Sequence, residues 1–167
     1  HKNIRANPAV ESGVAVVGVP DLRWARRDIK STSLLAQVLA KQAAREAGVS
    51  EAWMVEDGVV TEGASSTAFI ITQANEIVTR PLSQAILPGV TRLSMLALAR
   101  AHGLSLVERP FSIDEALRAK EAFLTSASTF VMPVVAIDGK PVADGKPGPL
   151  TRELRKLYFA AIDAQQE

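Results

Sequence analysis

The stretch Asp21-Leu22-Arg23-Trp24-Ala25-Arg26-Arg27-Asp28-Ile29-Lys30-Ser31, followed by Leu34-Leu35 and Val38-Leu39-Ala40-Lys41-Gln42, decides how this chain is read. Arg23, Arg26, Arg27, Asp28 and Lys30 crowd into eight positions. Directly after them Leu35, Val38, Leu39 and Ala43 recur at helical spacing, and Gly48 supplies a stop. The stretch predicts a charged loop running into an amphipathic helix.

Working outward, residues 1–12 read as linker and residues 13–19 as a strand that stops at Pro20. After the helix, residues 51–56 and 59–61 predict a hairpin around Asp57-Gly58. Glu62, Gly63, Ala64, Ser65, Ser66 and Thr67 then place one acid among small side chains, before a buried strand at residues 68–72. Pro88-Gly89 opens a second helix, residues 90–102, with Leu93, Leu96 and Ala97 on its face and Gly103 at its end. Residues 104–107 predict a strand, 113–120 a short helix, and 122–125 a strand entering the hydroxyl-rich turn Thr125, Ser126, Ser128, Thr129. A hairpin about Asp138-Gly139 and a closing helix over 149–164, with Leu150, Leu154 and Tyr158 in register, complete an α/β (α+β) domain with a mixed sheet.

The 167 residues are 47% hydrophobic and 22% charged, with a formal net charge of +1. That fits one domain needing no staples, since a chain of roughly 150 residues buries about 70% of its unfolded surface. The mixture of Val, Ile, Leu, Gly and Pro excludes disorder, collagen-like repeats and a coiled coil. With no cysteine there is no disulfide framework, thiolate nucleophile or Cys-ligated metal, and a cytoplasmic location is expected. The longest near-apolar stretches run to about eight residues, against ~20 for a bilayer span, so no membrane anchor is expected. Near-neutral charge with few aromatics gives no basic, aromatic-studded face for nucleic acid. The chain opens at His1 with Lys2, Asn3 and Arg5, neither an initiator Met nor a signal-peptide order, so the gene product is expected to start upstream.

Chemistry must be sought without cysteine and almost without histidine, because His1 is terminal and His102 reads as a helix-end or surface residue. Neither a Ser-His-Asp triad nor a metal site is expected. Four features remain: Lys30, the lone acid Glu62, the helix entrance Pro88-Gly89-Val90-Thr91, and the Ser126/Ser128 turn. Each has a plain reading, as solvated lysine, turn acid, ordinary helix start and backbone-satisfying hydroxyls. Together they also answer the demands of pyridoxal phosphate, which needs an amine for a Schiff base, an acid for the pyridine nitrogen and a phosphate cup.

The opening stretch, with Val60-Thr61-Glu62-Gly63-Ala64-Ser65-Ser66, Leu87-Pro88-Gly89-Val90-Thr91-Arg92, Thr125-Ser126-Ala127-Ser128 and Ile137-Asp138-Gly139-Lys140-Pro141, resembles the fold-type IV pyridoxal-phosphate enzymes, the class-IV aminotransferases. The likeness is closest to D-amino-acid aminotransferases and weaker to branched-chain aminotransferases. It covers nearly the whole chain, in the family's order.

This resemblance implies the C-terminal large domain of that fold, a mixed sheet with an open barrel-like core flanked by helices. Residues 1–12 would be an interdomain linker remnant and 13–167 the cofactor-binding domain. An N-terminal domain that supplies the substrate-carboxylate residues would be missing from this chain, and a homodimer is expected. Lys30 would form the Schiff base and shuttle a proton between substrate Cα and cofactor C4′, its pKa lowered by Arg23, Arg26 or Arg27 and the imine. Glu62 would pair with the pyridine nitrogen, and Ser66 and Leu87 would line the ring. Arg23, Val90, Thr91, Ser126, Ala127 and Ser128 would hold the phosphate.

The implied reaction is transamination between a D-amino acid such as D-alanine and a 2-oxo acid, 2-oxoglutarate or pyruvate. Alternatives on the same fold are an (R)-selective amine transaminase, a branched-chain aminotransferase and a 4-amino-4-deoxychorismate lyase, and outside it a non-catalytic cofactor-binding fragment. The sequence departs from the pattern at Ser33 and Thr67, where Asn is common, and at Ala127, where a Thr would offer a hydroxyl.

Overall fold

The computed structural model describes residues 7–164. β1 (Val14–Pro20) lies between two parallel neighbours, β2 (Glu51–Glu56) and β8 (Phe130–Ile137). β2 turns at Asp57-Gly58 into antiparallel β3 (Val59–Gly63). Asp57 and Gly58 both have positive φ, 52° and 77°, which is why this dipeptide makes the turn. β7 (Glu121–Ser126) joins β8 to β4 (Thr67–Ile71), and β5 (Ile77–Thr79) and β6 (Leu106–Glu108) extend that side. β9 (Lys140–Pro141) pairs only with β8, and the mixed sheet runs β3-β2-β1-β8-β7-β4-β5-β6.

Three residues connect β3 to β4, yet four strands separate them in the sheet. Only a sheet that curls on itself satisfies both facts, so the expected open barrel-like core is present. Alternation along the strands sorts two buried faces. Trp53, Ala68, Ile70, Ala122, Leu124 and Met132 point into the curl, where α4 (Ile113–Arg118) brings Ala116 and Phe111 precedes it. Phe69, Ile71, Phe123 and Val131 point outward against α3 (Val90–Ala101) and α5 (Pro149–Ala164). Phe69 and Phe123 stack at 4.6 Å between centroids, an arrangement worth roughly 1 kcal/mol beyond its buried area.

α2 (Leu35–Glu46) lies over β1 and β2 through Ala40 and Ala44, which allow close approach to Ala52 and Met54. Its large apolar residues Leu35, Val38 and Leu39 face outward with Trp24, Ile29 and Leu34, so the apolar stripe read from the sequence is an exposed surface beside Lys30. On α3 the expected Leu96 is buried, but Leu93 and Ala97 are exposed, and Met95 and Ala99 are buried in their place.

Two further elements differ from the sequence reading. Within the linker stretch, α1 (Ala9–Ser12) forms one helical turn and buries Val10 against the inner core. β5 occupies a segment to which no element is assigned from sequence. α5 begins where the buried carboxylate of Glu121 accepts the amides of Leu150 and Thr151 at 3.0 and 2.8 Å, satisfying two donors a helix start leaves open. Among the described residues no helix is long and apolar enough to cross a membrane.

Candidate active site

At one end of the curl the loop after β1, the β3–β4 turn, the entrance to α3 and the β7–β8 turn enclose a cavity of about 680 Å³. Its walls include Arg23, Lys30, Glu62, Ser66, Leu87, Val90, Thr91, Ser126 and Ala127, nine of the ten site residues expected from the sequence. Ser128 sits beside Ser126, Oγ to Oγ 3.3 Å, but does not line the cavity.

Lys30 is exposed and its amine makes no hydrogen bond or ion pair with any described residue. The arginines flanking it in sequence are committed elsewhere. Arg26 pairs with Asp28 at 2.9 Å, Arg27 with Glu56, and Arg23 with Asp21 and Glu62. The expected role of Arg23 on a phosphate therefore meets a guanidinium already engaged. Its Nε and one terminal nitrogen fork onto Asp21 at 2.9 and 2.7 Å, and its other terminal nitrogen donates to Glu62.

Glu62 is the next-to-last residue of β3, with its side chain buried. Besides Arg23 it accepts the Leu87 amide, 3.2 Å from both carboxylate oxygens. Burial pushes its pKa above the ordinary carboxylate value, outweighing the pull of Arg23 and the Leu87 amide. Asp21 goes the other way. Burial raises it, but the bonds from Arg23 and from Thr61 Oγ1, the latter 2.6 Å long, hold it below the usual range.

The turn after Glu62 is tight. The Gly63 amide donates to Ser66 O at 2.7 Å, and a Cβ on Gly63 would collide with Ser66 Oγ. The buried carboxylate of Glu51 holds that turn, accepting Ser65 Oγ at 2.9 Å and Ser66 Oγ at 3.2 Å, and pairs with Lys41 on the cavity wall at 2.9 Å. The Ser66 hydroxyl proton thus points to Glu51, which leaves only its oxygen lone pairs for a ring.

At the other wall α3 starts at Gly89 with no side chain capping it, so its first amides are open to an anion. Gly89 lies close over Thr67, and Thr67 pairs across the sheet with Thr125. The Thr125 hydroxyl is buried without a partner, and Ser126 Oγ is engaged inside its turn with Thr129 Oγ1 at 2.7 Å and the Thr129 amide at 3.1 Å. Arg155 braces the turn from α5, donating to Thr129 O and Val131 O at 2.9 and 2.7 Å.

Sequence reasoning misses Asp21, Thr61 and Glu51 as parts of this site. An acid two places before Arg23 in an exposed loop is the one available signal for Asp21. Thr61 and Glu51 act through strand register, which no local pattern displays. His102 is exposed, with Nδ1 2.9 Å from Leu98 O at the end of α3, and His1 lies outside the described residues.

A curled mixed sheet with an unpartnered lysine, a buried acid and an uncapped helix start on one cavity defines a class of protein. The amino-transferase class IV family model matches residues 4–137, and the chain belongs to that family. It is 43% identical over 152 residues to the D-alanine aminotransferase of Bacillus licheniformis, covering 91% of this chain and 53% of that protein. Among solved structures it is similar to the Escherichia coli branched-chain amino acid aminotransferase, with a TM-score of 0.84, 26% identity and coverage of 93% of this chain and 53% of that one. The T.th. branched-chain amino acid aminotransferase complexed with N-(5'-phosphopyridoxyl)-L-glutamate gives a TM-score of 0.83 at 28% identity, covering 92% and 53%. The chain spans about half the length of the curated relatives it matches.

Proposed function

We propose that this chain forms the cofactor-binding part of a pyridoxal-phosphate aminotransferase that exchanges the amino group of a D-amino acid, D-alanine foremost, with a 2-oxo acid such as 2-oxoglutarate or pyruvate. The observation that carries the reading is the cavity shared by unpartnered Lys30, buried Glu62 and the uncapped start of α3. The D-amino-acid preference follows the 43% identical relative over the branched-chain structures at 26–28%.

The residues present fit the cofactor. A volume of about 680 Å³ holds a phosphorylated pyridine ring with a small substrate, since such sites span roughly 300–1,000 Å³. The buried Thr125 hydroxyl lacks a partner beside the Ser126 turn, and the open amides at Val90 and Thr91 suit a dianion. When bound, the cofactor supplies an aldehyde that links to an amine and a pyridinium that takes up electrons from the substrate Cα–H bond.

Lys30 supplies the linking amine and, once displaced, moves the proton at the substrate Cα. Glu62 holds a proton against the ring nitrogen, a task its raised pKa and burial suit. Arg23 serves Glu62, and Val90, Thr91, Ser126 and Ala127 take the phosphate end, with Ser128 supporting Ser126. Ser66 and Leu87 flank the ring. Residues 13–167 then work with a further domain carrying the substrate-carboxylate groups, in a cytoplasmic homodimer.

The test is direct. Pyridoxal phosphate should give a visible Schiff-base band that borohydride abolishes while fixing the cofactor on Lys30, and D-alanine should discharge the cofactor before reduction. No label on Lys30 refutes the cofactor reading. Discharge only by (R)-1-phenylethylamine, a branched-chain amino acid or aminodeoxychorismate moves the chemistry to that neighbour, and a label that no substrate discharges means cofactor binding without turnover.

A further inference from the structure

One buried group beside the cavity has no part in the reaction just described. Asp21 is fully buried in its side chain and gathers four donors: the Arg23 amide at 3.1 Å, Arg23 Nε at 2.9 Å, an Arg23 terminal nitrogen at 2.7 Å and Thr61 Oγ1 at 2.6 Å. Arg27 approaches Oδ2 of the same carboxylate at 3.5 Å and continues to Glu56. Glu62, Arg23, Asp21, Arg27 and Glu56 therefore alternate in sign from the cavity wall to the surface, where Glu56 is 38% exposed.

Two buried carboxylates, Asp21 and Glu62, thus share the Arg23 guanidinium, and Glu56 at the surface end is held by Arg27 with Arg80 nearby. The fork on Asp21 also fixes the Arg23 plane. With Nε and one terminal nitrogen on Asp21, the remaining terminal nitrogen is the one presented to Glu62. Such bidentate geometry holds a guanidinium in orientation as well as in place.

Resting on the cofactor reading above, we propose that Asp21 is a positioning residue for the ring-nitrogen site: it locks Arg23 onto Glu62 and takes up part of the Arg23 charge, so that Glu62 keeps negative character toward a ring whose nitrogen carries a proton. Without Asp21 the full guanidinium charge would fall on Glu62, and a second cation at the ring nitrogen would meet a neutral pair. Arg27 also offsets the Asp21 charge, so its removal acts in the opposite sense. Burial and the Asp21 charge both push the Glu62 proton affinity upward, while Arg23 and the Leu87 amide pull it down.

The experiment compares absorbance-titrated affinities for pyridoxal phosphate and for 1-deazapyridoxal phosphate, whose ring carries C–H in place of nitrogen and takes no proton there. Asp21→Asn should cut the preference for the nitrogen-bearing ring about tenfold, the equivalent of about one pKa unit from a neighbouring charge. Arg27→Gln should raise it about threefold, and it keeps the test open should the Asp21 variant not fold. Equal loss of both ligands, or a preference unmoved in the variants, overturns the positioning role. A wild-type chain that binds neither ligand overturns the cofactor reading itself, so the two failures are distinguishable.

Discussion

Gly63→Ala tests the geometry of the cavity at the tight turn after Glu62. A Cβ there collides with Ser66 Oγ and lies 3.1 Å from Ser66 O and 3.3 Å from Ser66 Cβ. Ser66 cannot swing aside freely, because its hydroxyl is held by Glu51 and its carbonyl by the Gly63 amide. The turn must therefore open, at an overpacking cost of about 1–3 kcal/mol. Ser66→Ala alone loses one hydrogen bond to a charged partner, about 1–2 kcal/mol. The double variant removes the worst collision, so its total loss should fall short of the sum by about 1–2 kcal/mol, a coupling typical of residues in contact.

Urea unfolding of the cofactor-free chain reads all four proteins, with midpoints falling at constant m-value. The same opening tilts Glu62, so Gly63→Ala should weaken cofactor binding about tenfold, equivalent to roughly 1.4 kcal/mol, and the double variant should recover most of it. A Gly63→Ala chain unfolding at the wild-type midpoint, or a double variant whose losses simply add, would refute the argument.

Lys30→Ala should remove the borohydride-fixable label while changing stability by no more than about 0.5 kcal/mol, because Lys30 is exposed and unpartnered; thermal melts and mass spectrometry check both halves. Glu62→Gln should slow the D-alanine half-reaction by about 10²-fold, the scale of losing one aligned electrostatic group, and equal single-turnover rates count against it. The same variant has a pH signature in the cofactor-free chain. Because burial raises the folded-state pKa of Glu62, the unfolded chain ionises first as pH climbs. The stability tied to the neutral acid is whole below the ordinary carboxylate value of about 4.3 and is lost as pH rises through the folded value. Urea midpoints should shift in favour of the Gln variant with rising pH; the opposite slope contradicts the shift. Glu121→Ala should cost about 2 kcal/mol by uncapping α5, seen as lost helical signal at lower urea.

What the sequence made legible was local. The Asp57-Gly58 and Asp138-Gly139 turns, the Gly89 entrance and the 3.6-residue spacings place most elements, because each rests on backbone preferences of the residues themselves. Lys30 and Glu62 were legible as chemistry only through the ordered motifs around them. β5 was not, since three residues give no period to count. The outward apolar face of α2 was not, because Ala40 and Ala44 pack against the sheet as well as larger residues when the helix sits close. The partners of Arg23 were hidden for a different reason: Glu62 is 39 positions away, and only the curl of the sheet brings β3 against the loop after β1.

That curl also sets the two ends of the cavity apart in character. From Glu62 the wall runs through the Gly63–Ser66 turn to Thr67, then across the β4–β7 pairing to Thr125 and Ser126. Buried carboxylates crowd the first end of this path, and open amides and hydroxyls the second, where Arg155 reaches the Ser126 turn through its carbonyls. On the proposed reading, a ligand with a protonated ring nitrogen and a phosphate finds both ends satisfied in one orientation only. Reversal would take the dianion away from the open amides of α3 and set it against buried Glu62, where screening is weak. The proposed function thus has the orientation of the ring, and with it the face presented to Lys30, decided by groups fixed before any substrate arrives.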